Sequence, residues 1–485
     1  MSRRVEAAMD AVRIVAERRD PRAAIAVGTI AARLGMSLSR ASRLCADVEH
    51  TGLLERAEDY GSYRLGARAV RLSGRAAAPY AQTVRLALTR ASQQTGETAC
   101  LAARSGPRMR VVAAVESAWT LYAPAEVGEP VDDPRSAVLR ADQAVVGRAE
   151  PRTFESTIGM RAEIAAPVRG ATGETVAVVV VRLPSNRLRS GAARARRAVE
   201  AARRQIEAAL ADPRPFGDLG AAFADPGPVG DRTDTAASVT SIEGAARVIE
   251  HLAAGRSSIA EISRALGFRV DRTQRLVDAC AALLDRSDGT DVGLGWAVHA
   301  WHRAATESSL TGECAELVVR TARRTGQCSF LTVLRGMRSL TVVEVLEGPG
   351  EGLALTPWLG RPCRIVHADG GPTLLMDFEI DEIPPLLPDA LENEAAELLE
   401  RVRTVSQNGV LSKGSAEEAG QIAVSAPVRD ASGLVVAAAC IVGATETIRP
   451  RLTELEAAVL RLADAVSTQL GRPVEPTGRL ATPAA

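Results

Sequence analysis

Ile30-Ala31-Ala32-Arg33-Leu34-Gly35, followed by Arg43-Leu44, returns as Ile262-Ser263-Arg264-Ala265-Leu266-Gly267 and Arg275-Leu276, each 232 positions later. The echo extends outward. Thr95-Gly96 matches Thr325-Gly326 at an offset of 230. Gly128-Glu129-Pro130 matches Gly360-Arg361-Pro362 at 232, and Ala166-Pro167-Val168-Arg169 matches Ala426-Pro427-Val428-Arg429 at 260. One large step interrupts the offset, between Val131/Cys363 and Glu163/Ala423, where the first copy is shorter by 28 residues. So steady an offset marks the repeat of a whole unit, with residues 27–66 recurring in 259–295 and 84–181 in 315–441.

A chain of 485 residues is long enough for about three domains of roughly 150 residues, and the repeat favours four smaller ones. Lys and Arg number 59 against 59 acids, so any affinity for nucleic acid has to be local. Lys413 is the only lysine, which suggests the codon usage of a GC-rich genome. No basic-plus-apolar leader opens the chain. The longest apolar run, around Val176–Val181, is strand-sized and far short of the ~20 residues that cross a bilayer. A cytoplasmic protein without membrane contact is expected. Seven scattered cysteines without zinc-finger spacing read as reduced thiols. His299 and His302 stand three apart with no second ligand pair nearby, so neither a metal nor any other cofactor is expected.

Residues 1–75 carry the most specific local pattern. Val5, Met9, Val12 and Val15 recur at helical spacing. A short helix spans Val27–Leu34 and closes on Gly35. Met36 and Ser37 turn the chain, and a third helix runs from Leu38 to about Thr51 with Ala41, Leu44, Cys45 and Val48 inward. Two short helices joined through a glycine turn are a helix-turn-helix. Gly52-Leu53-Leu54-Glu55-Arg56 and Tyr63-Arg64-Leu65, around a turn at 58–62, add a hairpin wing. The third helix would present Ser39, Arg40, Ser42 and Arg43 to a major groove, with Ser37 and Arg64 beside it. These 75 residues hold 14 arginines against 9 acids, an excess of the sign that phosphate contact requires.

The run Val27-x-x-Ile30-Ala31-x-x-Leu34-Gly35-Met36-Ser37-x-Ser39-x-Ala41-x-Arg43-Leu44, with Gly52-Leu53-Leu54-Glu55-Arg56 and the closing Tyr63-Arg64-Leu65-Gly66, resembles the DNA-binding domain of IclR-type transcriptional regulators. The resemblance covers nearly the whole chain, twice. It implies an α+β architecture: two winged helix-turn-helix domains alternating with two α/β sensor-type (GAF-like) effector domains, each built on a curved antiparallel sheet.

On that pattern the modules are expected at 1–75, 79–210, 239–300 and 305–474, with a Pro-, Gly-, Asp- and Thr-rich tether at 211–238 that cannot order itself. The 28 residues absent from the first copy fall where the family places the loop and helices that close over a ligand. The 79–210 module is therefore expected to keep its sheet and lack a conventional pocket. In 239–300 the reading helix would present Arg269, Arg272, Gln274 and Arg275. Asp271 stands among them, 8 arginines meet 8 acids over 239–303, and the wing is short. This second head either contacts DNA or serves as a packing partner for the first.

In 305–474 the resemblance places Cys363, His367, Ala368 and Gly371 in the ligand loop, with Ser425 and Cys440 on the strands behind it. Pro372 replaces the family's usual Lys, and His367-Ala368-Asp369 its small hydroxyl residues. The implied ligands are small organic acids or aromatic compounds. No Gly-x-Ser-x-Gly elbow, phosphate loop or dinucleotide fingerprint occurs in a fitting context, and Cys363 with His367 has no visible orienting acid, so an enzyme is not expected. The expected function is a double-stranded-DNA-binding regulator, a repressor, in which one chain supplies both members of a head pair and the fused chain can pair again as a homodimer. The alternative is a small-molecule-binding or scaffolding protein whose helix-turn-helix domains serve assembly.

Overall fold

The computed structural model describes residues 2–144, 153–212, 240–288, 290–347, 356–387, 390–416 and 418–472. Most of the expected tether, residues 213–238, lies outside them, as do 353–355 of the segment leading to Gly360 and the two terminal positions 473–474 of the last module.

The first head comprises α1 (Ser2–Ala16), β1 (Ile25–Ala26), α2 (Val27–Leu34), α3 (Leu38–His50), β2 (Leu54–Arg56) and β3 (Ser62–Leu65). Gly35 ends α2 with φ 62° and returns its N–H to the helix, the left-handed stop that a residue without Cβ adopts at little cost. The three strands pair in the order β1-β3-β2, with Ile25 opposite Tyr63 and Leu54 opposite Leu65.

From the wing the chain enters α4 (Ala67–Thr95), 29 residues long. Pro79 lies inside it, so the interval 75–79 between the expected first and second modules is continuous helix rather than a break. A proline costs a helix one hydrogen bond and crowds the preceding turn. Here Ala76, Ala77, Ala78 and Ala81 are all buried around it, and that packing on several sides outweighs the local preference.

Next come β4 (Thr98–Ser105), β5 (Arg108–Val115), β6 (Pro130–Val131), α5 (Ala137–Asp142), β7 (Phe154–Ile158), β8 (Arg161–Arg169), β9 (Thr175–Pro184) and α6 (Leu188–Ala211). They make an antiparallel sheet of order β6-β5-β4-β9-β8-β7. Alternate residues separate its faces. Leu101, Ile164, Val179 and Val181 pack with Val84, Leu88 and Val199 of α4 and α6, while Cys100, Val111, Ala165 and Val180 pack with Ala137, Val138 and Ala141 of α5.

The same orders return in the second half. α7 (Ser241–Leu252), β10 (Ser257–Ser258), α8 (Ile259–Leu266), α9 (Val270–Ala279), β11 (Leu284–Asp288) and β12 (Asp291–Leu294) give a sheet β10-β12-β11. α10 (Trp301–Thr311) and α11 (Ala315–Thr325) stand where the first half has the single helix α4. β13 (Cys328–Arg335), β14 (Arg338–Val345), β15 (Pro362–Arg364), α12 (Gly371–Leu374), α13 (Glu392–Asn408), β16 (Leu411–Gly414), β17 (Gln421–Arg429) and β18 (Val435–Ala444) follow, then α14 (Thr445–Ile448) and α15 (Leu452–Gln469). Their sheet runs β15-β14-β13-β18-β17-β16, strand for strand the order of the first.

The two heads do not have separate cores. Val5, Met9 and Val12 of α1 and Leu44 and Val48 of α3 belong to one buried cluster with Ile242, Ile249, Leu276 and Val277 of the second head. At its edge Arg68 of α4 lies 2.9 Å from Glu243 and 2.7 Å from Glu250 of α7.

Candidate nucleic-acid interface and ligand cup

α3 has one wet face and one dry one. Ala41, Leu44, Cys45 and Val48 are buried, while Ser37, Ser39, Arg40, Ser42 and Arg43 are exposed. Arg43 folds back along its own helix, donating from Nη2 to Ser39 Oγ at 3.2 Å. Two exposed apolar side chains that the sequence reading passed over flank this row: Leu38 at the start of α3, 58% exposed, and Tyr60 at the wing tip. Leu38 has a visible counterpart in the repeat, Val270, which is 60% exposed. Residues of this kind in a major groove meet the thymine methyl.

Arg64 corrects an expectation. Its guanidinium lies 2.8 Å from Glu55 and 2.6 Å from Glu313 of the second half, and Arg22 bridges the same two carboxylates at 3.2 and 2.7 Å. A donor fork held by two acids is not offered to a phosphate, and the wing is tied to the body of the molecule instead.

In the second head Arg269, Gln274 and Arg275 are exposed, but each is engaged locally. Asp271 sits 3.4 Å from Arg269 and 2.9 Å from Arg275, and Gln274 donates to Asp278 at 3.0 Å. Arg272 is drawn aside, its guanidinium 4.5 Å from the centre of the Phe268 ring. The counterpart of Asp271 in α3 is Ser39, which holds Arg43 without neutralising it. The two heads thus share a shape and differ in charge.

The predicted ligand residues of the second half divide into a rim and a floor. At the rim, Cys363 pairs with Ser339 across β15 and β14, and its Sγ lies 3.6 Å from the Arg364 carbonyl. His367 Nε2 faces Glu394 of α13 at 3.3 Å. On the floor, Ala368, Gly371, Ser425 and Cys440 are all buried. Thr373 Oγ1 meets Ser425 Oγ at 2.8 Å, and a Cβ at Gly370 would come within 3.1 Å of Cys440 Sγ. Phe330, Leu374, Leu375, Phe378, Leu398 and Val402 pack the same layer. The loop therefore rests on the strands, and a ligand that touched Ser425 or Cys440 would have to lift it.

That loop is tied to α4. Arg85 donates from Nη1 to the Val435 carbonyl at 2.7 Å and from Nη2 to the Leu374 carbonyl at 3.0 Å, and lies 4.8 Å from the centre of the Phe378 ring. Gln82 donates to the Asp377 carbonyl at 2.6 Å. A second buried connection joins the halves further up α4. Ser73 Oγ contacts the Val298 carbonyl and His302 Nδ1, and His302 Nε2 stands 3.4 Å from Asp430. Burial pulls the Arg85 guanidinium down from its ordinary value. For Asp430 burial pushes upward, yet His302 and Ser432 leave it below the usual carboxylate range. Neither network was visible in the sequence.

Among the described residues no group of three or more His, Cys, Asp or Glu could hold a metal ion, and no helix is long and apolar enough to cross a membrane.

No protein-family model matches the chain, and no curated protein does. Solved structures similar to it include IclR-family transcriptional regulators that cover a third to a half of it. HmgR of Pseudomonas aeruginosa is 20% identical with a TM-score of 0.35, over 48% of this chain and 99% of its own. The transcriptional regulator of Alicyclobacillus acidocaldarius is 20% identical at 0.31, over 48% and 99%. The Thermotoga maritima IclR is 16% identical at 0.30, over 47% and 98%.

Proposed function

We propose that the chain is a DNA-binding transcriptional regulator, a repressor, made of two fused subunit-equivalents with its ligand-responsive site in the second sheet. The observation that carries this is the exposed row Ser37, Ser39, Arg40, Ser42 and Arg43 on a helix whose opposite face is buried, beside an exposed hairpin tip. The common core of the two heads supports their acting as an internal pair. Their difference in charge favours an asymmetric operator, because half-site symmetry mirrors protein symmetry. The ligand class is a small organic acid or aromatic compound. It would act by lifting the loop at 365–375, and Arg85 would pass that movement to the helix carrying the first head, provided the ligand binds one arrangement better than the other.

The test is selection of bound fragments from a genomic DNA library, then gel-shift titration of the enriched sequence with wild type and the Arg40→Ala/Arg43→Ala variant. A base-reading arginine is worth ~1–3 kcal/mol. The double variant should therefore bind about a hundredfold more weakly, with wild-type affinity falling steeply as salt rises. Undiminished binding by the variant removes α3 as the reading helix.

A second reading, that the helix-turn-helix domains serve assembly alone, is favoured by the pairing of Arg269 and Arg275 with Asp271 in the second head and by the shared core. Absence of DNA binding by wild type at about 50 mM salt, where phosphate contacts are strong, would select it.

A further inference from the structure

On β8 and β9, the face turned toward α5 carries Ala165, Val178 and Val180 and, one pair further along, Glu163 directly opposite Arg182. These two are 0% and 1% exposed. The Glu163 carboxylate is hydrogen-bonded at one oxygen and held at the other by nearby charge alone. Oε2 accepts from Ser136 Oγ at 2.6 Å, from the Ala137 backbone N–H at 3.2 Å and from Ser156 Oγ at 3.4 Å. Oε1 lies 3.3 Å from Arg161 Nη2 and 3.4 Å from Arg182 Nε. Arg182 reaches on to the Pro124 carbonyl at 3.0 Å and to Glu129 at 2.9 Å.

The sheet itself does not need these charges. In the second half the positions 260 later are Ala423 and Val442, both buried in an aliphatic layer under Leu374, Leu398 and Val402. Burying a carboxylate and a guanidinium costs more than burying aliphatic side chains there, so the pair calls for a reason beyond packing. Its partners supply one: Pro124, Glu129, Ser136 and Ala137 all belong to the segment that covers this face of the sheet. The contacts are those of a site that binds a short carboxylate by two hydroxyls, a backbone N–H and two guanidinium groups.

We propose that the first half contains a carboxylate-binding site whose occupant is the chain's own Glu163, a tethered ligand that keeps the cover closed without any external molecule. Removing that side chain opens the site to small free carboxylates such as acetate and propionate. That the first half would then be the ligand-independent member of the pair rests on the regulatory reading; the site itself does not.

The experiment is thermal unfolding of the full chain with sodium acetate, sodium propionate or sodium chloride at matched ionic strength. Glu163→Ala should melt on the order of 10 °C below wild type, the effect of leaving a buried pair broken. It should regain a substantial part of that with acetate or propionate and none with chloride. Wild type should not respond, and Glu163→Ala/Arg182→Ala should have lost the response. Glu163→Gln fills the same space without the charge, so it should melt below wild type and be insensitive to acetate. The proposal is overturned if Glu163→Ala responds equally to chloride, if the double variant is still rescued, or if Glu163→Gln is as stable as wild type. The last result decides the matter even if Glu163→Ala fails to fold. None of these readings involves DNA, so they stand or fall apart from the function of α3.

Discussion

His299 sits fully inside the junction of the halves, packed with Tyr80 and Trp296 at ring-centre separations of 6.0 and 5.0 Å, and its Nδ1 has no hydrogen-bond partner. Burial, with Arg303 and His302 adding like charge, pushes its pKa down to about 3. A histidine that stays neutral when folded but takes a proton near pH 6.5 when unfolded has a definite sign. Its contribution is intact above about 6.5 and is lost as pH falls toward about 3, at about 1.4 kcal/mol for each pH unit crossed. His299→Phe keeps the stacking and removes the titration. Melting temperatures from pH 7 to pH 5 should fall less steeply in the variant than in wild type, and parallel slopes would show that His299 is not the group responsible. At this scale some roles were open to reading and others were concealed. The outward row of α3 was legible because a 3.6-residue period sorts inner from outer positions. Arg64 was misjudged, because its fate depends on Glu313, 249 positions away. Glu163 and Arg182 left a signal that went unused: a charge inside each of two consecutive strands, set between apolar neighbours and in facing register.

Among the elements, α4 has the widest reach. Its first turns carry Arg68 to the second head and Ser73 to His302, and near its middle Gln82 and Arg85 meet the loop over the second sheet. Gly74 marks its closest approach, since a Cβ there would fall 2.2 Å from the Ala431 carbonyl carbon. Gly74→Ala should thus be destabilising although alanine favours helices, because backbone rather than a flexible side chain blocks the methyl group. Arg85→Ala would strand the Leu374 and Val435 carbonyls in a buried site, at about 1–3 kcal/mol each. Hydrogen exchange by mass spectrometry should show faster exchange in 371–378 and 433–437 with β2 and β3 unchanged. Equal protection throughout would mean that Arg85 does not hold the loop. The short helices and hairpin of the first head could be expected from helical spacing and a glycine stop, and the repeat carried them to the second head, whereas β6, α5 and β7 left no such signal. The continuity of α4 could not, because Pro79 reads locally as a terminator and only tertiary packing overrides it.

At the level of the whole molecule, the repeat announced two equivalent halves but not which surfaces they would share. That information lies in α1 and α7, whose apolar faces look like ordinary amphipathic stripes until partner helices are in place. Val5, Met9 and Val12 close a single core with Ile242, Ile249 and Leu276, and Arg68 and Glu313 reach across its edges to acids and arginines of the opposite half. A core so divided should hold without covalent continuity, because the tether contributes effective concentration rather than contacts. Residues 1–212 and 240–485, co-expressed as separate chains with one tag, should therefore purify as a 1:1 complex. That complex should resist dilution at 0.5 M salt, since the apolar core is not screened and only the rim ion pairs are weakened. Glu313→Gln in the same pair should loosen the wing without dissolving the complex, because Arg22 and Arg64 would keep Glu55. Recovery of the two chains singly, or each as a homodimer with no cross-association, would mean that the heads pair between molecules, and the internal pairing on which an asymmetric operator depends would be lost.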